Sequence, residues 1–147
     1  MNWLDGKKLL VPIDFGDLSR KAVDTALDMA TLQSDVEVIH VVPDLNTMAP
    51  EVLWQDISDA MRRSAVEQTF RKEFNEKKYH DLKFHVAFGD AGHQIADYAE
   101  EIGADIIVIP SHGRTGLKRL LIGSVAERVL RLAHCTVVVV KEKRKHD

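Results

Sequence analysis

Several kinds of chemistry are excluded by what the chain lacks. It carries one cysteine, Cys135, so no internal disulfide framework can form and a reducing compartment suits it. No apolar run approaches the ~20 residues that a membrane-spanning helix requires. The opening Met1-Asn2-Trp3-Leu4-Asp5-Gly6 has neither the basic nor the apolar region of a signal peptide, so the expected address is the cytoplasm. Charge is balanced, with a formal net of −3, which gives no global attraction to nucleic acid or to an anionic membrane. The basic tail from Lys141 is short and reads as a solvated charge run. Seven histidines are present, but no H-x-H, HExxH or clustered Cys/His spacing accompanies them, which argues against a dedicated zinc site. Walker-type G-x-x-x-x-G-K-[ST] is missing, as is G-x-G-x-x-G after the first apolar run, so phosphate binding of the P-loop or dinucleotide kind is excluded. His134 and Cys135 are neighbours whose side chains need not converge, and Cys135 reads as a small core or turn residue.

What remains is an ordinary globular composition, 45% hydrophobic and 29% charged over 147 residues. A chain of that length buries about 70% of its unfolded surface, and one domain over 1–147 is expected. The short apolar run Leu9-Leu10-Val11-Pro12-Ile13 shows no alternation and reads as a strand covered on both faces; Val36 to Val42, Leu82 to Phe88, Ile106 to Ile109 and Thr136 to Val140 read as four further, near-continuous apolar strands. Between them lie four stretches of helical spacing. The first runs from Leu18 to Ala30, with Asp17 or Ser19 as N-cap. The second places Leu53, Ile57, Met61, Ala65, Phe70 and Phe74 inward, after a plausible flap from Asp44 to Pro50. The third runs from Ile95 to Ile102, with Asp90 as a cap and Gly103 as its C-cap signal. The fourth opens on Ser124-Val125-Ala126-Glu127, which has the form of a capping box. Strands alternating with helices predict a doubly wound α/β fold, a five-stranded parallel sheet with four helices.

Ligands of such sheets sit beyond the carboxyl ends of the strands. The residues expected there include Asp14, Val42-Pro43, Gly89-Asp90 and the segment from Pro110 to Gly113. Gly113, Gly116 and Gly123 punctuate the path from the fourth strand to the fourth helix, beside the cations Arg114, Lys118 and Arg119. Two readings stand side by side: turn residues followed by a capped helix, or a phosphate cradle in which glycines allow close backbone approach and a helix start supplies N–H groups. Ser124 serves either reading. Asp14 can accept from a ribose hydroxyl or an adenine amine, or hold Mg²⁺ through water; it can equally cap the turn before the first helix. His112 reads as a loop-shaping hydrogen-bonder. No catalytic residue emerges.

This combination resembles the universal stress protein family of small nucleotide-binding α/β proteins. The likeness is carried by Val11-Pro12-Ile13-Asp14-Phe15 with the following helix, by Gly89-Asp90 through Val108, and by Ser111-His112-Gly113-Arg114-Thr115-Gly116 through Gly123-Ser124-Val125-Ala126-Glu127-Arg128-Val129-Leu130. The ATP-binding branch has Gly-x-x-Gly, nine residues, then Gly-Ser or Gly-Thr. Here Gly113, the nine residues Arg114 to Ile122 and Gly123-Ser124 match, while Pro110 stands at the first glycine. Proline removes an N–H and fixes φ, so any contact that needs that amide is lost.

The resemblance implies a Rossmann-like sheet in the order 3-2-1-4-5. It places adenine near Asp14 and Val42, beside Pro12, and ribose and phosphates along Gly113 and Gly123-Ser124-Val125, with Ser111, His112, Arg114 and Gly116 completing the set. It also implies ATP, with or without Mg²⁺, as the cofactor, a homodimer or larger homo-oligomer joined through the strand 136–140, and a regulatory protein partner. The expectation is an ATP-binding stress-response or signalling regulator. Alternatives are a slow Mg²⁺-dependent ATPase and a nucleotide-free interaction protein of the same family. A phosphoacceptor receiver domain fits poorly, because Ile13-Asp14-Phe15 offers one acid where that chemistry wants a pair.

Overall fold

The computed structural model describes residues 2–43, 58–112 and 122–142. The apolar runs form β1 (Leu9–Pro12), β2 (Val36–Val42), β3 (Lys83–Phe88), β4 (Ile106–Pro110) and β5 (Thr136–Val140). Between them lie α1 (Asp17–Met29), α2 (Asp59–Glu73), α3 (Ala91–Ile102) and α4 (Ser124–Leu132). Every pairing is parallel and the order is β3-β2-β1-β4-β5, as the resemblance implied. β1 and β4 are buried along their whole length, which is why their sequences are apolar without alternation.

From β1 the chain steps to β2 and β3, then returns to β4 and continues to β5 on the other side. Right-handed crossovers put the helices of the two journeys on opposite faces. One core accordingly joins Leu9, Val11 and Val108 to Val23 and Ala26 of α1 and to Phe70 of α2. The other joins Leu10, Ile39 and Ile107 to Ile95 and Ala99 of α3 and to Val129 of α4. Adjacent strand residues divide between the two cores because successive side chains point to opposite faces.

Asp90 accepts a hydrogen bond from the His93 N–H at 3.1 Å and so caps α3, as expected. Gly103 ends that helix at φ 68°. The same Asp90 takes the Arg128 guanidinium of α4 at 2.5 Å, tying the two helices of that face together. Hydrogen bonds from His93 hold its carboxyl below the usual carboxylate range.

Helix α2 departs from the expected pattern. Phe70 and Phe74 are buried, but Met61 is 62% exposed and Ala65 is also exposed; Leu53 and Ile57 lie outside the described residues. A repeat of four residues drifts off a face whose period is 3.6, and the first half of α2 lies beside the edge strand β3. That half covers the edge with arginines instead. Arg62 and Arg63 lie over the Phe88 ring at 5.1 and 5.2 Å, and Arg63 donates to the Val86 carbonyl at 2.9 Å.

A polar cluster interrupts the second core. Glu37 of β2 is 9% exposed, and its carboxylate accepts the Tyr98 hydroxyl of α3. Tyr98 in turn stacks on His85 of β3, with centroids 3.9 Å apart and planes parallel within 1°. Burial, then the Glu37 carboxylate, pushes the Tyr98 phenol up, so it stays a donor. Burial pushes the His85 imidazole down from its ordinary 6.5. The unfolded chain therefore takes up that proton before the native state does, and acid favours unfolding as pH falls through the ordinary value. His85→Phe keeps the stacked ring and removes the uptake. Its urea-unfolding free energy is expected to fall less than that of the parent between about pH 7 and about pH 5; parallel profiles would contradict this assignment.

Candidate functional site at the carboxyl edge of the sheet

The chain leaves β1 and β4 in opposite directions, so the crevice beyond their carboxyl ends is the switch point of the sheet. Only Leu9 with Ile106 and Leu10 with Ile107 stand in register between these two strands. Past that pair the ladder lacks donors, because Pro12 and Pro110, which end the two strands, have no N–H to give. Asp14 and its turn line one side of the crevice; Ser111, His112 and the start of α4 line the other.

On the first side, buried Pro12 ends β1 and Asp14 follows, half-buried. Its Oδ1 accepts from the Gly16 N–H at 2.9 Å and from the Ser19 hydroxyl at 3.0 Å, while its own N–H donates to the Ser19 Oγ at 3.1 Å. Asp14 thus caps the turn before α1 and is held in one orientation at the strand end. Neither Asp17 nor Ser19 is the N-cap of α1. That position is Gly16, without a side-chain cap bond, and Ser19 is 1% exposed because its hydroxyl is spent on Asp14.

Two further residues shape this edge, Phe15 within the turn and His40 of β2. Phe15 adopts φ 65°, the one non-glycine positive φ among the described residues, a conformation that costs an L-residue roughly 1–2 kcal/mol. Its ring meets that of His40 at 4.9 Å. The Nδ1 of His40 lies 2.8 Å from the Ile13 carbonyl; a carbonyl only accepts, so Nδ1 carries the proton. The signal in the sequence was a lone histidine in the apolar run of β2. Val42, two residues on, shares its side of the sheet.

On the second side, Pro110 is the last, buried residue of β4, opposite Val140. The next residue, Ser111, donates its N–H to the Val140 carbonyl at 2.8 Å. Strand alternation therefore turns the backbone of position 110 towards β1. The missing N–H, like that of Pro12 on β1, leaves the ladder between the two strands without a bond at its carboxyl end. The crevice receives no amide from this position.

Helix α4 begins directly against this strand end. The Gly123 N–H donates to the Ser111 carbonyl at 2.5 Å, and a Cβ on Gly123 would lie 3.3 Å from both that oxygen and the His112 Cα. Only a residue without Cβ fits comfortably, so Gly123 takes the N-cap position and Ser124 moves into the first turn. The expected capping box with Ser124 at its head does not form, and the N-cap residue, a glycine, has no side chain with which to cap α4. His112 is half-buried, with Nε2 3.6 Å from the Glu142 carboxylate. Gly113, Arg114 and Gly116, with Lys118 and Arg119, lie outside the described residues.

The four helix starts differ in a way that follows the crevice. Ser58 caps α2, accepting from the Met61 N–H at 3.2 Å, and Asp90 caps α3. Helices α1 and α4, which follow the two strands flanking the switch point, start on the glycines Gly16 and Gly123, which have no side chain to offer as a cap. Their leading N–H groups and positive dipole ends suit an anion. Among the described residues, no group of three or more His, Cys, Asp or Glu side chains is placed to hold a metal. Cys135 and His134 form no dyad. Burial pushes the Cys135 thiol up, and exposed His134 lies 3.9 Å from Glu100.

Comparison with known proteins places this geometry in context. The model of the universal stress protein family matches residues 6–141. Universal stress protein MJ0531 of Methanocaldococcus jannaschii is 34% identical over 145 residues, covering 95% of this chain and 84% of the relative. Universal stress protein YxiE of Bacillus subtilis is 30% identical, with 91% and 98% covered. Among solved structures, that of MJ0577 from M. jannaschii superposes with a TM-score of 0.76 at 30% identity, covering 95% of this chain and 98% of that one. A universal stress protein solved in complex with cAMP shares the fold at 21% identity, with a TM-score of 0.61 and 92% and 96% covered.

The tight seat of Gly123 can be tested on stability alone. Gly123→Ala is expected to lower the unfolding free energy by about 1–2 kcal/mol, because the added methyl presses on backbone atoms that cannot rotate away. Equilibrium urea unfolding measures this, and an unchanged midpoint would mean that the contact yields freely.

Proposed function

The chain belongs to the universal stress protein family, and from that premise we propose that it is an adenine-nucleotide-binding regulator, with ATP as its ligand in the crevice between β1 and β4. The observation that carries this reading is the uncapped start of α4, seated against the end of β4. There the N-cap residue Gly123 has no side chain to take the first N–H groups of the helix, and the helix dipole favours negative charge. Phosphates run along Gly123-Ser124-Val125 and Ser111-His112 and on to Gly113, Arg114 and Gly116. The base and ribose lie towards Asp14, Val42 and Pro12. Asp14 is the carboxylate through which a nucleotide-bound Mg²⁺ would be held.

Binding is favoured over turnover. Asp14 Oδ1 already takes two hydrogen bonds in its own turn, which suits a fixed recognition group better than a mobile base. Homo-oligomers form through β5. That strand is bonded on one side only, and its run of half-exposed valines leaves an open edge that a second copy would cover. A change of nucleotide state would then be read by a regulatory partner. No helix among the described residues is long and apolar enough to cross a membrane, and the reading places the protein in the cytoplasm.

Titration calorimetry with ATP and Mg²⁺ is expected to give saturable binding at or below millimolar nucleotide; its absence sinks the proposal and favours the nucleotide-free alternative. Ser124→Asp separates site from stability. A carboxylate in the first turn of α4 complements the dipole, so the melting temperature should hold or rise, while ATP affinity drops by about tenfold or more through repulsion of the phosphates. Unchanged affinity would move the phosphates elsewhere.

A further inference from the structure

We propose that His40 is the positioning residue for the nucleoside end of the crevice: it holds the Ile13 carbonyl and the Phe15 ring, and through them sets the orientation of Asp14. The inference rests on the nucleotide reading above and adds to it the device that makes Asp14 a fixed contact.

The backbone supplies the reason that such a device is needed. The β1–β2 register ends with Pro12 opposite Ile39, and the last bond of that ladder runs from the Ile13 N–H to the Ile39 carbonyl at 2.9 Å. The next polar group of the strand, the Ile13 carbonyl, is taken by a side chain, the His40 Nδ1–H at 2.8 Å. Immediately after it the chain must pass through Phe15 at φ 65°, a conformation that phenylalanine does not choose by itself. Two restraints hold it there. The Asp14, Gly16 and Ser19 bonds close the turn from its far side, and the His40 ring lies against Phe15 on its near side.

Asp14 is therefore fixed between a carbonyl pinned by His40 and a ring braced by His40. Val42 lies two residues further along β2, so it shares the face on which His40 stands. One imidazole thus relates both residues assigned to the base, Asp14 on β1's turn and Val42 on β2. Strain that persists only because its surroundings over-determine it is characteristic of ligand clamps.

The test compares His40→Leu with His40→Asn, two side chains of similar size, of which only asparagine can donate to the Ile13 carbonyl. ATP and adenosine are titrated separately, and folding of each variant is verified by thermal melting. In His40→Leu both ligands should weaken by the same factor, about tenfold, since a hydrogen bond and its orphaned carbonyl are lost at the nucleoside end. His40→Asn should remain within about threefold of the parent. If His40→Leu does not fold, His40→Phe, which keeps a ring on Phe15 without the donor, should give the same equal losses. Parent-like affinity for both ligands in the donor-less variants overturns the role of His40 while leaving the nucleotide site standing. A loss confined to ATP also overturns it, because that places the defect at the phosphates. A parent protein that binds neither ligand removes the nucleotide reading and this inference together.

Discussion

Everything at the functional edge depends on the brevity of the pairing between β1 and β4. Two residues of each strand stand in register, Leu9 with Ile106 and Leu10 with Ile107, and then Pro12 and Pro110 leave the ladder without donors. A parallel sheet wound outward in both directions from its centre has no crossover to fill the space above that central pair. The opening is a consequence of topology, and the loops after β1 and β4 inherit the task of satisfying the backbone groups that the ladder abandons there.

They do so differently. After β1, side chains take over: Asp14 and Ser19 close the turn into α1, and His40 takes the Ile13 carbonyl. After β4, backbone satisfies backbone, with the Ser111 N–H on Val140 and the Gly123 N–H on the Ser111 carbonyl. The side-chain solution yields a wall with fixed direction. The backbone solution brings a helix start into the crevice without a cap. The helices away from the crevice are capped by Ser58 and Asp90, whereas the two beside it begin on glycines, Gly16 and Gly123.

Much of this was legible in the sequence. Apolar strands without alternation, glycine at the end of α3, Asp90 at its start and a carboxylate directly after β1 are local signals, and local physics reads them. The failures have equally specific causes. Ser124 heads a capping-box pattern, yet contact with Ser111 and His112 reserves the N-cap for Gly123. Met61 and Ala65 follow a four-residue repeat, which drifts off the buried side marked by Phe70 and Phe74 and leaves both exposed. Pro110 looked like a departure from a glycine motif; in β4 its absent N–H, with that of Pro12, ends the ladder between the two central strands. His40 showed only as a lone histidine in an apolar run, and neither its contact with Phe15 nor the Glu37–Tyr98–His85 cluster could be read from a pattern, because each joins segments far apart in the chain.

By itself the sequence determined which segments become strands and helices, that the sheet is parallel and covered on both faces, and, through the spacing of Gly113 and Gly123-Ser124, which family the chain resembles. These follow from periodicity and turn chemistry, which act over a few residues. Tertiary structure alone decided which helix starts are left uncapped, which glycine is demanded by a neighbouring backbone, and which histidine braces Asp14. Those outcomes depend on what packs against each segment once the sheet has closed, and no short-range pattern carries that information.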